Sequence, residues 1–309
     1  MILVGDCIES MRGLPDQSVQ TCVTSPPYFG LRDYGHEGQI GLEPTPDEFV
    51  GKLVEVFREV RRVLRDDGTL WLNLGDSYAG GGGFSPDSPS NIAGSKQTTH
   101  AGSIKGVIGV PPGLKPKDLI GIPWRVAFAL QADGWYLRQD IIWHKPNPMP
   151  ESVRDRCTKA HEYIFLLSKS ERYYFDAEAI KVPAKSKSEG IRFGGAKYGD
   201  NDDPKFATKS GNVSKEYELA NRRSVWTVTT KPYKGAHFAT FPPDLIEPCI
   251  LAGSRVGDVV LDPFGGAGTT GLVSQRRGRK FVLCELNPEY ARMAEDRIAA
   301  ERDLLSEAV

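Results

Sequence analysis

Short apolar runs alternate along the chain with longer stretches whose apolar residues recur at helical spacing. The short runs predict buried strands. The predicted strands are 2–4, 19–24, 69–74, 135–143, 162–167, 258–262 and 280–285. Residues 173–175 are predicted to form either an antiparallel partner of 162–167 or the second half of one bulged strand.

Helices are predicted between these strands. The clearest start is Thr45, which opens a capping box with Glu48 and is followed by Pro46 at the first helical position. Asp67-Gly68 is predicted to end that helix. The other predicted helices are 8–14, 119–132, 242–252, 269–276 and a final helix capped by Asn287. Strands that alternate with helices predict an α/β fold with a parallel, doubly wound sheet.

Two stretches lack any periodicity. Residues 79–117 are rich in Gly, Ser, Pro and Asn, and they predict a mobile loop that is longer than a compact domain usually carries without a purpose. Residues 181–222 are irregular as well, and they are basic. Both stretches therefore point to inserted segments rather than to parts of the sheet.

The net charge of −1 hides an asymmetry. Residues 181–234 hold twelve Lys or Arg and six Asp or Glu, a local charge of +6, which leaves about −7 for the remainder. A basic segment on a mildly acidic body is typical of a surface that binds a phosphate backbone. A solvated basic loop is the alternative.

Bulk composition excludes several classes of protein. A hydrophobic fraction of 39% and a charged fraction of 26% are ordinary for a globular protein. The first residues lack the features of a signal peptide, and no apolar run is long enough for a membrane span. The five cysteines are odd in number and scattered, so we expect a reducing cytoplasm, no disulfide framework and no metal site.

Two strands end in turns that carry candidate chemistry. Thr24-Ser25-Pro26-Pro27-Tyr28 follows the strand 19–24, and Asp262-Pro263-Phe264-Gly265-Gly266 follows the strand 258–262. The second turn continues through Gly268 to Gly271, which spells GxGxxG, and acidic Glu285 ends the next strand. This pattern indicates a cofactor that contains a nucleoside. A nicotinamide dehydrogenase, or a glycine turn that only lets a helix pack on a strand, are the alternatives.

With both turns present, the chain resembles the amino-DNA methyltransferases, which methylate exocyclic amines of cytosine or adenine with S-adenosylmethionine. The order of the two turns matches the circularly permuted β-class of that family. The resemblance implies a Rossmann-like S-adenosylmethionine-dependent methyltransferase sheet with an inserted target-recognition segment. It also implies a set of cofactor-binding residues: Asp6, Phe241, Pro242, Asp262, Pro263, Phe264, Gly265, Gly266, Gly268, Thr269 and Glu285. Among these, Asp262 is expected to face the ammonium group of the cofactor, and core capping is an equal alternative for Asp6.

The same resemblance implies the catalytic residues Ser25, Pro26, Pro27 and Tyr28. The Ser25 hydroxyl and the Pro26 carbonyl are expected to accept the two hydrogens of the target amine. Proline fixes the direction of that carbonyl. Tyr28 is expected to stack on a base extruded from the duplex. An ordinary proline turn with a structural role only is the alternative for this stretch.

Ser25 favours N4 of cytosine over N6 of adenine, because adenine-specific relatives usually carry Asp at this position. C5 methylation is disfavoured, since the one cysteine after a proline, Cys249, falls inside a predicted helix. A methyltransferase for glutamine side chains would be expected to carry Asn in place of Ser25. A catalytically idle relative that binds DNA or the cofactor is a further alternative.

These inferences predict three regions: a catalytic half over 1–180, a target-recognition segment over 181–222 and a cofactor-binding half over 223–309. The expected partner is double-stranded DNA, with a cognate restriction endonuclease as a further one, for a cytoplasmic monomer or homodimer. The expected DNA-binding residues are Lys145, Lys205, Lys209, Arg222 and Arg223. For Lys145 a surface lysine without a partner is the alternative.

Overall fold

The computed structural model describes residues 1–31, 35–80, 110–184, 218–230 and 240–307. Within them the chain forms two compact units, one of residues 1–176 with 223–309 and a small one of residues 177–222. The strands of the larger unit are β1 Ile2–Val4, β2 Val19–Thr24, β3 Leu64–Leu74, β4 Tyr136–His144, β5 His161–Ser168, β8 Val225–Thr227, β9 Val259–Asp262 and β10 Lys280–Glu285. The small unit contributes β6 Val182–Pro183 and β7 Leu219–Ala220.

Among the described residues the larger unit has an eight-stranded sheet in the order β1-β10-β9-β2-β3-β5-β4-β8. β5 runs antiparallel to β3 and β4, and the other neighbours are parallel. The two last strands of the chain thus lie between β1 and β2. The predicted α/β class and the permuted, Rossmann-like sheet are confirmed. The order also puts the carboxyl ends of β2, β9 and β10 side by side.

Six helices are seen in the described part of the chain: α1 Cys7–Arg12, α2 Pro46–Val63, α3 Ile122–Ala132, α4 Pro243–Gly253, α5 Thr269–Arg276 and α6 Pro288–Glu307. The predicted start of α2 is confirmed, because the Thr45 side chain accepts from the Glu48 backbone N–H. Helix α3 begins later than its pattern predicts. The Asp76 carboxylate accepts from Gly121 and Ile122 N–H and so fixes the first turn there.

The predicted end of α2 at Asp67-Gly68 is wrong. The helix ends at Val63, and Leu64 already has extended backbone and a fully buried side chain. β2 pairs first with Leu64 and next with Thr69, so the intervening residues bulge out of the ladder. Gly68 serves this bulge, because a Cβ there would stand 2.9 Å from Arg65 O and 3.0 Å from Gln20 O.

The predicted strand at 173–175 is also wrong. These residues have no regular structure. Tyr174 N donates to Asp67 O at 2.9 Å, and the Phe175 ring stacks on Trp71 with centroids 6.1 Å apart. This aromatic stretch therefore covers the bulge of β3 instead of extending the sheet. The short strand β8 was not predicted, since three residues give too little pattern to distinguish it from a loop.

The hydrophobic core lies between the sheet and the helices packed on it. Helix α2 supplies one apolar face with Phe49, Leu53, Phe57 and Val60, each fully buried. The strands supply the facing residues, including fully buried Leu70, Leu72 and Phe165. No helix in the described part of the chain is both long and apolar enough to cross a membrane.

In the small unit a 3-10 turn, Glu178–Ile180, precedes β6, which pairs antiparallel with β7. Arg222 Nε donates to Ile180 O at 3.3 Å and ties the two ends of the unit together. The stretch 185–217, which holds most of the predicted recognition segment, lies outside the described residues. So does 81–109, which holds most of the predicted mobile loop.

Two glycine substitutions should change stability in opposite directions. A Cβ on buried Gly253, at the end of α4, would stand 2.6 Å from Thr21 Oγ1 and 3.0 Å from Thr69 Oγ1. Gly253→Ala should therefore lower the free energy of unfolding by about 1–3 kcal/mol through overpacking. A Cβ on Gly51, inside α2, would meet open space. Gly51→Ala should raise that free energy by about 0.5–1 kcal/mol, because alanine favours the helix.

Urea unfolding followed by circular dichroism measures both values. A Gly253→Ala variant as stable as the wild type would contradict the close packing of α4 on β2 and β3.

Candidate active site

A cavity of about 760 Å³ opens in the larger unit where the two predicted turns meet. Ser25 to Tyr28 line one part of it, and Asp262 to Ala267 line another. Asp6, Phe241, Thr269 and Glu285 also line the cavity, so most of the expected cofactor residues are brought together. Pro242 is buried immediately behind Phe241, at the start of α4.

The carboxylate of Asp262 joins the two turns. Thr24 Oγ1, at the end of β2, donates to Asp262 Oδ1 at 2.6 Å. Thr270 Oγ1 donates to Oδ2 at 2.7 Å, and Phe264 N donates to Oδ1 at 3.0 Å. The residue is only 1% exposed, and burial raises the pKa of Asp262 to about 6 despite these three hydrogen bonds. The expected contact with a cofactor ammonium stays a prediction. The role in joining the turns was not predicted.

The glycine turn lies flat against β10. Gly265 N donates to Cys284 O at 2.8 Å, and a Cβ on Gly265 would stand 2.9 Å from Leu283 Cβ. Gly268 has a φ of +75°, and a Cβ there would stand 2.8 Å from Ala294 Cβ. These two positions require glycine because neighbouring chain segments come so close. The turn then leads into α5, whose first turn has no side-chain cap.

Glu285 receives hydrogen bonds from both flanking turns. Gly266 N donates to Oε2 at 2.7 Å, and Asn287 N donates to Oε1 at 2.9 Å. Burial raises the pKa of Glu285, and the hydrogen bonds and nearby His36 oppose that shift. Each oxygen can still accept a further hydrogen bond from a ligand. His36 also lines the cavity, and sequence reasoning did not identify it because it lies in no motif.

Asp6 stands beside Glu285 at the neighbouring strand end. Gly5 N donates to Glu285 O at 2.9 Å, which continues the pairing of β1 with β10. The Asp6 carboxylate caps α1 through Oδ1, which accepts from Ile8 N and Glu9 N. This helix cap was not among the two expected roles, and the contact with the cofactor stays a prediction for Asp6. Its other oxygen is used by none of these bonds, and Asp6 still lines the cavity.

The residues of the cavity fit a ligand that carries both a nucleoside and an amino-acid group. Two carboxylates, Asp6 and Glu285, stand at strand ends where hydroxyl or amine donors can be bound. The Phe264 and Phe241 rings supply apolar walls. Backbone N–H groups of a helix start suit a carboxylate group of a ligand. Described residues provide no cluster of His, Cys, Asp or Glu that could hold a metal ion, and all five cysteines are free thiols.

Glu162 and Asn73 are site residues that the sequence did not reveal. Tyr28 donates its hydroxyl proton to Glu162 Oε2 at 2.7 Å, and Asn73 Oδ1 lies 3.3 Å from that hydroxyl. Asn73 is 4% exposed and also donates to Tyr163 O. The one available signal was an amide inside an otherwise apolar strand. Glu162 gave no signal, since a polar residue near the start of a strand is common.

Three of the five expected DNA-binding residues fall in the described part of the chain. Lys145 lies inside the cavity, where its ammonium pairs with Glu162 and stands 4.2 Å from the centroid of the Trp143 ring. Arg223 is exposed in the larger unit, and Arg222 belongs to the small unit. Lys205 and Lys209 lie outside the described residues. Contact of these side chains with DNA stays a prediction.

Comparison with known proteins agrees with this geometry. A family model described as DNA methylase matches residues 19–296. The type II methyltransferase M.SmaI of Serratia marcescens is 51% identical over 301 residues, which are 97% of this chain and 91% of that protein. M.Cfr9I of Citrobacter freundii, also a type II methyltransferase, is 50% identical over 299 residues, 96% of this chain and 87% of its own.

Solved structures share the fold. The cytosine-N4-specific PvuII DNA methyltransferase matches with a TM-score of 0.63 and 20% identity over 98% of this chain and 91% of its own. A Thermus thermophilus chain solved with S-adenosyl-L-methionine matches with a TM-score of 0.58 and 25% identity, over 97% of this chain and 93% of its own.

The buried carboxyl of Asp262 should make stability depend on pH. Its pKa is raised to about 6 from an ordinary value of 3.8. Between about pH 4 and pH 6 the unfolded chain therefore releases a proton that the folded chain keeps. The free energy of unfolding should fall as pH rises through this window, by roughly 3 kcal/mol in total.

Urea unfolding at several pH values should be compared between the wild type and Asp262→Asn. Glu285, whose pKa is raised as well, titrates in both proteins, so the difference between the two curves reports Asp262 together with its electrostatic coupling to Glu285. A difference that stays constant from about pH 4 to pH 7 would show that Asp262 does not titrate there.

Proposed function

Because the chain belongs to the DNA methylase family, we propose that it transfers a methyl group from S-adenosyl-L-methionine to the N4 amine of a cytosine in double-stranded DNA. One observation carries this proposal. The Ser25-Pro26-Pro27-Tyr28 turn and the glycine turn line a single cavity and are joined by the hydrogen bond from Thr24 to Asp262. The turn proposed to bind the amine and the turn proposed to bind the cofactor therefore face the same space.

The cofactor would be held by the glycine turn and by the strand ends around it. Glu285 would accept from ribose hydroxyls, Asp6 from the adenine amine, and Phe264 with Phe241 would enclose the apolar parts. S-adenosyl-L-methionine supplies a methyl group that is activated for transfer. The N–H groups at the start of α5 would bind its carboxylate.

Ser25 and Pro26 would prepare the amine that is methylated. An exocyclic amine of a base is a poor nucleophile, because its lone pair is delocalised into the ring. The Ser25 hydroxyl and the Pro26 carbonyl would accept its two hydrogens and draw the nitrogen toward tetrahedral geometry, which frees the lone pair. Pro26 is buried and Ser25 is half-buried, so these acceptors work in a site with little competing water. Positioning matters more here than a strong base.

The choice of cytosine rests on Ser25. In the family that the chain resembles, serine at this position accompanies N4 methylation of cytosine, and aspartate accompanies N6 methylation of adenine. Two neutral acceptors can align either amine, so N6 of adenine is the alternative product. A catalytically idle relative is disfavoured, because Ser25, Tyr28, Asp262 and Glu285 are all present.

The inserted segment 181–222 is the proposed target-recognition region, between a catalytic half over 1–180 and a cofactor-binding half over 223–309. Its basic residues would neutralise backbone phosphates, and Tyr28 would stack on the extruded base. As a relative of type II methyltransferases, the chain would act in the cytoplasm as a monomer or homodimer and protect DNA from a cognate restriction endonuclease.

Ser25→Ala should lower kcat by about 100-fold or more and leave the affinity for S-adenosyl-L-methionine nearly unchanged, because the lost acceptor acts mainly in the transition state. Transfer of tritium from the labelled cofactor to unmethylated DNA gives kcat, and calorimetry gives the affinity. Ser18→Ala is the matched control. Its hydroxyl bonds Pro15 O at an exposed turn outside the cavity, and its rate should stay at the wild-type level.

Mass spectrometry of nucleosides from the methylated DNA identifies the product, which should be N4-methylcytosine. N6-methyladenine alone would refute the choice of base and keep the family. Cofactor binding without any transfer would indicate the idle relative. Binding of NAD in place of S-adenosyl-L-methionine would refute the cofactor.

Replacing Lys205, Lys209 and Arg223 with alanine should weaken DNA binding and reduce its dependence on salt, by about 0.9 in the logarithmic slope for each phosphate that the variant no longer neutralises. Arg222 is kept, because it holds the small unit together through Ile180. A control with the same loss of charge replaces three exposed residues of α1 and α2, Arg12, Lys52 and Arg58. Equal salt slopes in filter-binding titrations of the two triple variants would mean that the basic segment is only a solvated loop.

A further inference from the structure

Tyr28 is held by groups from two other strands. Its hydroxyl donates to Glu162 on β5 at 2.7 Å and lies 3.3 Å from Asn73 Oδ1 on β3. Gly75, the residue after β3, lies against the ring. A Cβ on Gly75 would stand 2.5 Å from Tyr28 Cε2 and 3.0 Å from Cδ2. The ring therefore occupies a slot that only glycine leaves open, and its far end is anchored by a carboxylate.

The anchoring carboxylate is itself paired. Lys145, just beyond β4, forms an ion pair with Glu162 Oε1, while Tyr28 uses Oε2. The two charged side chains are only 18% and 15% exposed. The Lys145 ammonium also lies over the Trp143 ring. The positive charge of Lys145 thus compensates the Glu162 carboxylate, which would be costly to bury without a partner.

Sheet stability does not account for this pair. β4 and β5 are already joined by a backbone ladder from Tyr136 to His144, and Lys145 N donates to Ala160 O at 2.8 Å. A largely buried ion pair adds little net stability compared with apolar residues of the same size. The ion pair instead fixes the position of Glu162, which accepts from the Tyr28 hydroxyl.

We propose that Glu162, charge-balanced by Lys145, is a positioning residue that sets the orientation of the Tyr28 ring for stacking on the target base. This inference rests on the proposed function, since it assumes that Tyr28 meets a base. Glu162 acts through Tyr28 and does not touch the base. Gly75 completes the arrangement, because it leaves room for the ring in this one orientation.

Two double variants separate positioning from packing. Lys145→Met/Glu162→Gln removes both charges and keeps an oxygen that can accept from Tyr28. Lys145→Met/Glu162→Leu removes both charges and the carboxylate acceptor, and leaves only the longer contact with Asn73 Oδ1. Neither variant leaves a buried charge without a partner, so both should fold, which thermal unfolding checks. The neutral control Glu247→Gln breaks a surface ion pair with Arg277, and neither of these residues lines the cavity.

The ring is observed directly by NMR of protein labelled with ¹³C in its tyrosine rings, with Tyr28→Phe to assign the signal. In the Lys145→Met/Glu162→Leu variant the Tyr28 signal should shift from its wild-type position. Its kcat with DNA should be about tenfold below that of the Lys145→Met/Glu162→Gln variant, while cofactor affinity holds. The Lys145→Met/Glu162→Gln variant should keep the wild-type ring signal, and its rate is the reference for the Leu variant because Lys145 is replaced in both. Gly75→Ala should displace the ring and lower kcat, whereas Gly51→Ala should do neither.

The outcomes are distinct. If the Gln and Leu variants have the same ring signal and the same rate, Glu162 does not position Tyr28 and the inference is overturned. If the ring behaves as expected but the wild type transfers no methyl group to DNA, the proposed function fails and the anchoring of the ring stands. A rate in the Leu variant below that of the Gln variant, together with an altered ring signal in the Leu variant only, supports both.

Discussion

The short hydrogen bond between the Thr24 hydroxyl and the Asp262 carboxylate connects the two halves of the site. The two residues are 238 positions apart in the chain, and they meet because β2 and β9 are neighbours in the sheet. Thr270 and Phe264 bond the same carboxylate, so one buried group fixes the end of a strand, a glycine turn and the start of a helix. Such a group must be fully bonded, because a buried carboxylate without partners is very costly. The sharing of Asp262 therefore holds together the turn proposed to bind the amine and the turn proposed to bind the cofactor.

Much of the fold could be predicted because its signals are local. The observed bounds of β2, α5 and β10 are those predicted from the sequence, and Thr45 caps α2 as predicted. Asp67-Gly68 misled the prediction because glycine ends helices and also permits bulges. Whether Gly68 ends the helix or permits a bulge depends on the position of the β2 backbone. The residues next to Gly68 in sequence do not specify that position. The motifs located the cavity for the same reason, since each one is a continuous stretch at a strand end.

The missed residues share one property: their role depends on contacts between distant strands. Glu162 is an ordinary polar residue in sequence, and it becomes part of the site only because β5 lies between β3 and β4. Lys145 was expected as a DNA contact, and its pairing with Glu162 was not predicted. Asn73 joins this group from β3. Local pattern thus reveals the groups expected to touch a ligand, whereas the groups that hold them in place emerge only from the assembled sheet.

The strand order has a consequence for how the chain folds. Ile2 pairs with Leu283, and Thr21 pairs with Val260, so the half of the sheet formed by β1, β10, β9 and β2 is built from the first and last parts of the chain. Contacts between residues so far apart require the closure of very long loops before they stabilise anything, which makes folding slow. During synthesis β2 has an unpaired edge until 259–285 have emerged. We therefore expect the newly made chain to depend on protection from aggregation until its final strands are in place.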